Sequence, residues 1–234
     1  LGVVYCVEPE QNIALARNLA VENAAGDYIA FIDDDEIPAD NWLLVLYRAC
    51  RAFGVDGVLG PVLPRFEAPP PRWITRGRIF DRPFAPTGTI LSRNRTRTGN
   101  VLLKKSIFDP PGHRFRKEFG MGGEDRDFFG RMIEKGHRFA WCQEALVYES
   151  IPPERMKRGF LLRRALLRGR IPQFRPADIL MSFLAVPLYA LVIPYFFFTA
   201  HHIFMKLMIS EFDHLGRLLC FFGVRVTRQN YIFR

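Results

Sequence analysis

Cysteine is scarce in this 234-residue sequence. Cys6, Cys50, Cys142 and Cys220 stand far apart, and no pair has the close spacing of a zinc knuckle or a redox motif. That excludes a small disulfide scaffold and makes a reducing compartment the default reading. A cleavable signal sequence and an initiator methionine are both missing: the chain opens at Leu1 inside an apolar run, which reads as an N-terminally truncated fragment. Collagen repeats and the low hydropathy of disorder are absent too, and 49% hydrophobic residues with 24% charged suit a globular domain with length to spare. Acid is short mainly in one place. The chain carries 33 Lys and Arg against 24 Asp and Glu, a formal +9, yet Glu154 to Pro176 alone holds eight basic residues and one acid, leaving the rest near +2. A basic belt, not a basic protein, needs explaining. No nucleic-acid motif accompanies it and the densest aromatics lie in the apolar tail, so nucleic acid is not the expected partner.

Leu1 to Val7 is short, apolar and β-branched and reads as a buried strand. Asn12 to Ala25 fits a helix, with Ile13, Ala16, Leu19 (or Ala20) and Ala24 at helical spacing and Gly26 as a stop. Asp27 to Ile32 is a second apolar strand. Strand, helix and strand with short connections make a βαβ unit, so the expected fold class is α/β, with a mostly parallel sheet and helices on both faces. Asp40 can cap a helix through Phe53, and Val55 to Leu63 is another strand candidate. The proline-dense span Pro61 to Asn100, with the polar tract Ser92 to Thr98, reads as irregular surface structure. Val101 to Leu103 is a short strand, Glu124 to Lys135 a helix closed by Gly136, and Arg138 to Tyr148 mostly a strand.

Beyond Pro176 the character changes. Ile179 to Ala200 runs 22 residues without a charge, long enough at ~1.5 Å per residue for the ~30 Å hydrocarbon core of a bilayer. It reads as a transmembrane helix, in which Pro187 and Pro194 are tolerated, with the basic belt marking the cytoplasmic flank. A buried soluble hairpin is the alternative. Ile203 to Val224 is apolar but interrupted by Lys206, Glu211, Asp213, His214 and Arg217, so it reads as a second span or an interfacial helix. His201, His202 and His214 are isolated there, and a structural or interfacial role is expected of them.

Two stretches carry chemistry. The acid run Asp33-Asp34-Asp35-Glu36 closes the second strand, at the edge where open α/β sheets bind ligands. Alternation along a strand would put Asp33 and Asp35 on one side and Asp34 on the other, a pairing that suits a hard divalent cation shared with substrate phosphates. A solvated acidic turn is the alternative. The second stretch, Gly120-Met121-Gly122-Gly123-Glu124-Asp125-Arg126-Asp127, is a glycine-rich loop entering a helix. It lacks the spacing of the dinucleotide fingerprint and of the phosphate-binding loop, and its acids could simply be helix-start acids favoured by the dipole.

Taken together, these pieces resemble a known family. Ala16-Arg17-Asn18, then Ala24-Ala25-Gly26-Asp27-Tyr28-Ile29, then Asp33-Asp34-Asp35-Glu36 with Pro38, then Gly99-Asn100, Gly123-Glu124-Asp125 and the helix after it follow the order of the family 2 glycosyltransferases of the GT-A fold, a Rossmann-like nucleotide-diphospho-sugar transferase sheet. Val147-Tyr148-Glu149 and the basic segment look most like bacterial exopolysaccharide glycosyltransferases of the succinoglycan type. The resemblance implies that Asp33 and Asp35 form the Asp-x-Asp motif, with Asp33 and its neighbour Asp34 toward the nucleotide and Asp35 toward Mg²⁺ or Mn²⁺ on the diphosphate. It implies Asp125 as catalytic base, Glu124, Gly123 and Asn100 along the acceptor or donor-sugar side, and Arg17 in support of the nucleotide pocket. Glu149 stands where many relatives place a histidine metal ligand, and either replaces it or leaves that ligand absent. One of Arg163 and Arg164 would meet the leaving diphosphate; anionic lipid headgroups are the other reading of the belt, since Arg164 and Arg168 repel at i and i+4 unless an anion neutralises them.

What the resemblance implies is a membrane-anchored, inverting hexosyltransferase, moving a hexose from a nucleotide sugar, with UDP expected, to a lipid-linked saccharide at the cytoplasmic face of a bacterial inner membrane. Residues 1–153 would be the catalytic domain, 154–176 a basic amphipathic juxtamembrane segment, and 177–234 the transmembrane helix with its second apolar or interfacial helix. The family begins with a strand and a nucleotide-binding Asp ahead of Leu1, so the fragment is expected to lack part of the uracil site. Two rivals stay open: a nucleotidyltransferase on a related sheet, and a non-catalytic scaffold docked to the membrane.

Overall fold

A computed structural model describes residues 2–109, 112–120, 122–169 and 176–224. Leu1, Met121, Arg170 and Arg175, which figure in the readings above, lie outside the described residues. The chain divides into two units, Leu1–Arg65 with Arg82–Ser150, and Phe66–Asp81 with Ile151–Arg234.

The first unit opens with helix α1 (Ile13–Asn23), capped by Asn12, whose side chain accepts from the Ala14 and Leu15 N–H groups. Strands β1 (Tyr28–Ile32) and β2 (Glu36–Pro38) follow, with a turn between them. Helix α2 (Trp42–Phe53) starts one residue later than expected, with Asn41 rather than Asp40 at its cap, and ends on Gly54 at φ +59°. Strands β3 (Gly57–Leu59) and β4 (Val62–Phe66) replace the single strand expected over Val55 to Leu63. The break falls at Gly60-Pro61, where a Cβ on Gly60 would collide with the Ala145 carbonyl. Strand β5 (Asn100–Lys104), helix α4 (Glu124–Glu134), and strands β6 (Phe139–Trp141) and β7 (Val147–Ile151) complete the unit. The strand expected over Arg138 to Tyr148 is thus also two, in different sheets.

The main sheet runs β1-β5-β3-β6. β5 is antiparallel to both β1 and β3, and β3 is parallel to β6. Three of its four strands therefore point one way, but only β3 and β6 are neighbours in that sense, because the reversed β5 is inserted between β1 and β3. Val58, Leu102 and Ala140 face α2 and pack with Leu46 and Cys50. Leu59, Val101, Leu103 and Phe139 face the other way, into Ala14 and Val21 of α1 and Phe128, Phe129 and Met132 of α4. Helices cover both faces, as the apolar strands require. A second sheet, β2-β7-β4, pairs Glu36 with Glu149, Ile37 with Tyr148 and Pro38 with Val147.

Residues 2–7 form no strand, contrary to expectation. Val3, Val4, Tyr5 and Val7 are exposed, and no strand among the described residues pairs with them. Apolar, β-branched sequence favours a strand only where a ladder partner takes up its backbone groups.

In the second unit the proline-dense span contributes helix α3 (Arg72–Gly77), whose Ile74 is buried with Ile151 and Met156 against Trp73, Phe66 and Phe80. Helix α5 (Arg158–Arg168) carries Arg158, Arg163, Arg164 and Arg168, half of the basic belt. Helix α6 (Pro176–Thr199) passes unbroken through Pro187 and Pro194 and is, among the described residues, the helix long and apolar enough to cross a membrane. Leu180, Leu184, Leu188, Leu191 and Phe198 are exposed on it. Helix α7 (His201–Phe221) packs along α6, α5 and α3. The close crossing with α5 depends on Gly169 and Gly216, where a Cβ would strike the Asp213 and Leu166 carbonyl oxygens respectively. The interrupting polar residues of α7 find partners inside the unit: Asp213 takes Arg168 Nε at 2.9 Å, and His214 Nδ1 lies 3.0 Å from Ser182 Oγ. Asp213 is thus an anion facing Arg168, supplied by the chain itself.

Candidate active site

The first unit's site is built on the turn from β1 to β2. Asp33, Asp34 and Asp35 sit in that turn rather than on a strand, so the alternation expected of them does not apply. The turn is closed from within. Glu36 folds back so that its carboxylate accepts from the Asp33 N–H at 3.2 Å, while its own N–H reaches the Asp33 carbonyl at 3.1 Å. Glu36 is buried, and burial is the main reason its carboxyl is pushed up to about 7; the Asp33 N–H and the Arg82 guanidinium oppose that rise. Asp33 is 46% exposed and is also raised, first by burial, with Asp35 and Asp125 adding to the rise and Arg17 working against it. Asp34 is exposed and Asp35 half-buried.

Gly99 explains how the carboxylates pack so closely. A Cβ there would lie 2.8 Å from Glu36 Oε1 and 3.1 Å from Asp33 Oδ2, so a side chain would push them apart. Its neighbour Asn100, expected along the substrate side, is instead fully buried. Its Oδ1 accepts from Trp42 Nε1 at 2.7 Å and its Nδ2 donates to the Pro61 and Ala145 carbonyls at 2.8 and 2.7 Å. Those bonds tie β5 to α2 and to the loops beside β4 and β7, and the amide is engaged inward.

The opposite wall comes from the start of α4. Gly122 and Gly123 hold φ of +129° and +87°, conformations that glycine adopts readily and other residues do not. Glu124 and Asp125 then occupy the first helical turn. The loop ahead of them is anchored to α1, where Asn12 Nδ2 donates to the Lys117 carbonyl and the Ile13 N–H to the Gly120 carbonyl. α1 returns through Arg17, whose guanidinium pairs with Glu124, lies 3.5 Å from Asp33 Oδ1 and stacks over Phe115. Asp125 is half-buried, takes the Arg126 N–H at 2.6 Å, and its charge acts on Arg17, Asp33 and Arg97.

Glu149, expected as a possible stand-in for a metal ligand, faces an arginine. It lies opposite Glu36 in the β2–β7 ladder, and like charges in that position repel unless neutralised. Arg82 does so: one nitrogen pairs with Glu149 and the other is 3.9 Å from Glu36 Oε1. Among the described residues no three His, Cys, Asp or Glu side chains gather as a closed metal cage. Arg82, Arg97 and Glu36 escaped sequence reasoning as site residues. Arg82 and Arg97 belong to the span read as irregular surface, yet Arg97 is half-buried, with its pKa lowered first by burial and then by Arg82 while Asp125, Glu36 and Glu149 raise it. Glu36 was visible as the fourth acid of the run. Arg163 and Arg164 belong to the second unit.

The wall thus gathers six carboxyl groups, Asp33, Asp35, Glu36, Glu124, Asp125 and Glu149, and three guanidiniums, Arg17, Arg82 and Arg97. Comparison with known proteins gives the family. The glycosyl transferase family 2 profile matches residues 1–119, which include the acidic turn and Asn100. The succinoglycan biosynthesis protein ExoM of Rhizobium meliloti (strain 1021) is 36% identical over 172 residues, covering 72% of this chain and 54% of ExoM. The chain therefore spans about half the length of that curated relative. Among solved structures, S. aureus TarS is similar at 15% identity and a TM-score of 0.46 over 82% of this chain and 32% of its own. A TarS 1-349 structure in complex with UDP-GlcNAc is similar at 12% identity and a TM-score of 0.41, over 90% and 72%. With its profile covering half of the sequence and a relative 36% identical over 72% of the chain, the chain belongs to glycosyl transferase family 2.

Proposed function

We propose that the chain carries the catalytic domain of an inverting hexosyltransferase of exopolysaccharide biosynthesis, using a nucleotide sugar, with UDP as the nucleotide, and a lipid-linked saccharide acceptor. The observation that carries the reading is the approach of Asp125, at the start of α4, to the Asp33–Glu36 turn and to Arg17 and Arg97. Family membership and the name of the relative ExoM support the assignment to exopolysaccharide synthesis.

In this reading Asp125 is the general base. The acceptor hydroxyl oxygen attacks the anomeric carbon, the bond from that carbon to the diphosphate oxygen breaks, and the hydroxyl proton passes to the Asp125 carboxylate. One displacement inverts the configuration. Asp33, Asp35 and Asp125, whose charges act on one another, would repel a bare diphosphate, so the reading calls for a divalent cation. Mg²⁺ or Mn²⁺ fits, because such ions use one or two carboxylates and complete their shell with phosphate and water. Asp35, half-buried in the turn, would hold it, with Asp33 toward the ribose. When bound, the ion supplies charge neutralisation for the departing diphosphate. Arg97 would share that task, and Arg17, paired with both, would keep Glu124 and Asp33 in register.

The anchor in this reading is α6, crossing a bacterial inner membrane with the basic α5 on the cytoplasmic side. In this protein, Asp125→Asn should abolish transfer from UDP-hexose while leaving the thermal unfolding midpoint within a few degrees of wild type. Retained turnover would sink the assignment. Binding of UDP-glucose, UDP-galactose or GDP-mannose that requires Mn²⁺ and is lost in Asp35→Ala would identify the nucleotide. No binding to any of them by the folded protein would favour a scaffold.

A further inference from the structure

We infer that Arg82 is a positioning residue for the donor site: by neutralising Glu36 and Glu149 where they face each other, it holds the Asp33–Asp35 turn in the shape that receives a cation and its diphosphate. The inference deepens the proposed function and rests on it for what the turn binds; the arrangement itself stands within the first unit.

Three hydrogen bonds fix the turn. The Asp33 N–H donates to Glu36 Oε2 at 3.2 Å, the Glu36 N–H to the Asp33 carbonyl at 3.1 Å, and the Ser150 N–H of β7 to the Asp35 carbonyl at 2.9 Å. Two run through Glu36 at the start of β2 and one through β7, so the turn keeps its shape only while those strands stay in register. At that point the ladder sets Glu36 directly opposite Glu149, and two carboxylates so placed push the strands apart. Their side chains are 1% and 11% exposed, so water and salt screen them little. Glu36 Oε1 has no hydrogen-bond donor among the described residues. Arg82 Nη1 lies 3.9 Å from that oxygen while Nη2 pairs with Glu149, so one guanidinium serves both acids. Without it, Glu36 relieves the repulsion by turning from Glu149, and that movement takes Oε2 off the Asp33 N–H. Groups that orient the ligands of a cation without touching it are commonly worth about 10–100-fold in its affinity. An arginine that met the diphosphate itself would also strengthen donor binding, and the test separates the two roles.

The full chain in detergent is titrated calorimetrically with UDP in excess Mn²⁺, and exchange of the Asp33 amide is followed by mass spectrometry over residues 31–38. Arg82→Gln should weaken UDP binding about tenfold or more and quicken the exchange by a similar factor. Adding Glu149→Gln removes the repulsion that Arg82 neutralises, so Arg82→Gln with Glu149→Gln should return both measurements to within threefold of wild type. Either measurement unchanged in Arg82→Gln overturns the inference. So does a loss of affinity that persists in the folded double variant, which is the result for an arginine that meets the diphosphate. If Arg82→Gln does not fold, the double variant decides alone, and failure of both to fold overturns the inference by making Arg82 a general support of the fold. If wild type binds no UDP, the active-site reading falls and the amide exchange decides this inference by the same criteria.

Discussion

Arg17 joins three elements through one guanidinium: its own α1, the end of β1 through Asp33, and the start of α4 through Glu124. Both Arg17 and Glu124 are buried, with side chains 12% and 5% exposed, so removing one partner leaves an uncompensated buried charge. Arg17→Ala should destabilise the chain by about 3–5 kcal/mol, read from the urea midpoint. Glu36 makes a different prediction. Its carboxyl titrates at about 7 in the fold against an ordinary 4.5, because it is buried. The folded chain then holds a proton that the unfolded chain releases between those values. The stability from this group is full below about 4.5 and is lost as pH rises through about 7. Glu36→Gln should flatten that slope, so the urea midpoint should fall less between pH 5 and pH 8 in the variant than in wild type. At this scale the acids were legible in the sequence and their partners were not. A run of four acids marks a ligand edge by composition, but that Arg82 faces Glu149, or that Asn100 turns inward, depends on what folds against them.

Elements meet closely where glycine allows it. Gly216 of α7 lies against the Leu166 carbonyl of α5, and the obstacle to any side chain there is backbone that cannot rotate away. Gly216→Ala should cost about 1–3 kcal/mol, measured as a lower thermal midpoint in detergent, with Gly54→Ala excluded as a control because its φ of +59° adds strain of its own. Most helices were readable from periodicity, and α1 and α4 fall within two residues of expectation because Asn12 and the glycine pair mark their starts. Strands were less so. β3 and β4, and β6 and β7, each appear in the sequence as one apolar stretch; their separation into two sheets reflects partners remote in the chain. Residues 2–7 show the converse, strand-like composition without a partner.

For the whole molecule, α6 sets the expected behaviour. Only 17% of its most apolar window is buried, and a soluble core helix would hide most of that surface. The chain expressed in bacteria should remain in the membrane pellet after alkaline carbonate extraction, and deletion of residues 176–224 should release the remainder to the supernatant. The sequence by itself determined the family, the acidic turn, the glycine loop before Asp125, the basic belt and the long apolar helix, because each is a local pattern of residue type and spacing. Tertiary structure decided the rest. It placed the proline-dense span partly in the second unit, gave Asp213 to Arg168 and Arg82 to Glu149, and turned Glu36 inward. Those outcomes depend on charges and apolar surfaces from distant parts of the chain meeting at hydrogen-bonding distance, which no stretch of sequence carries alone.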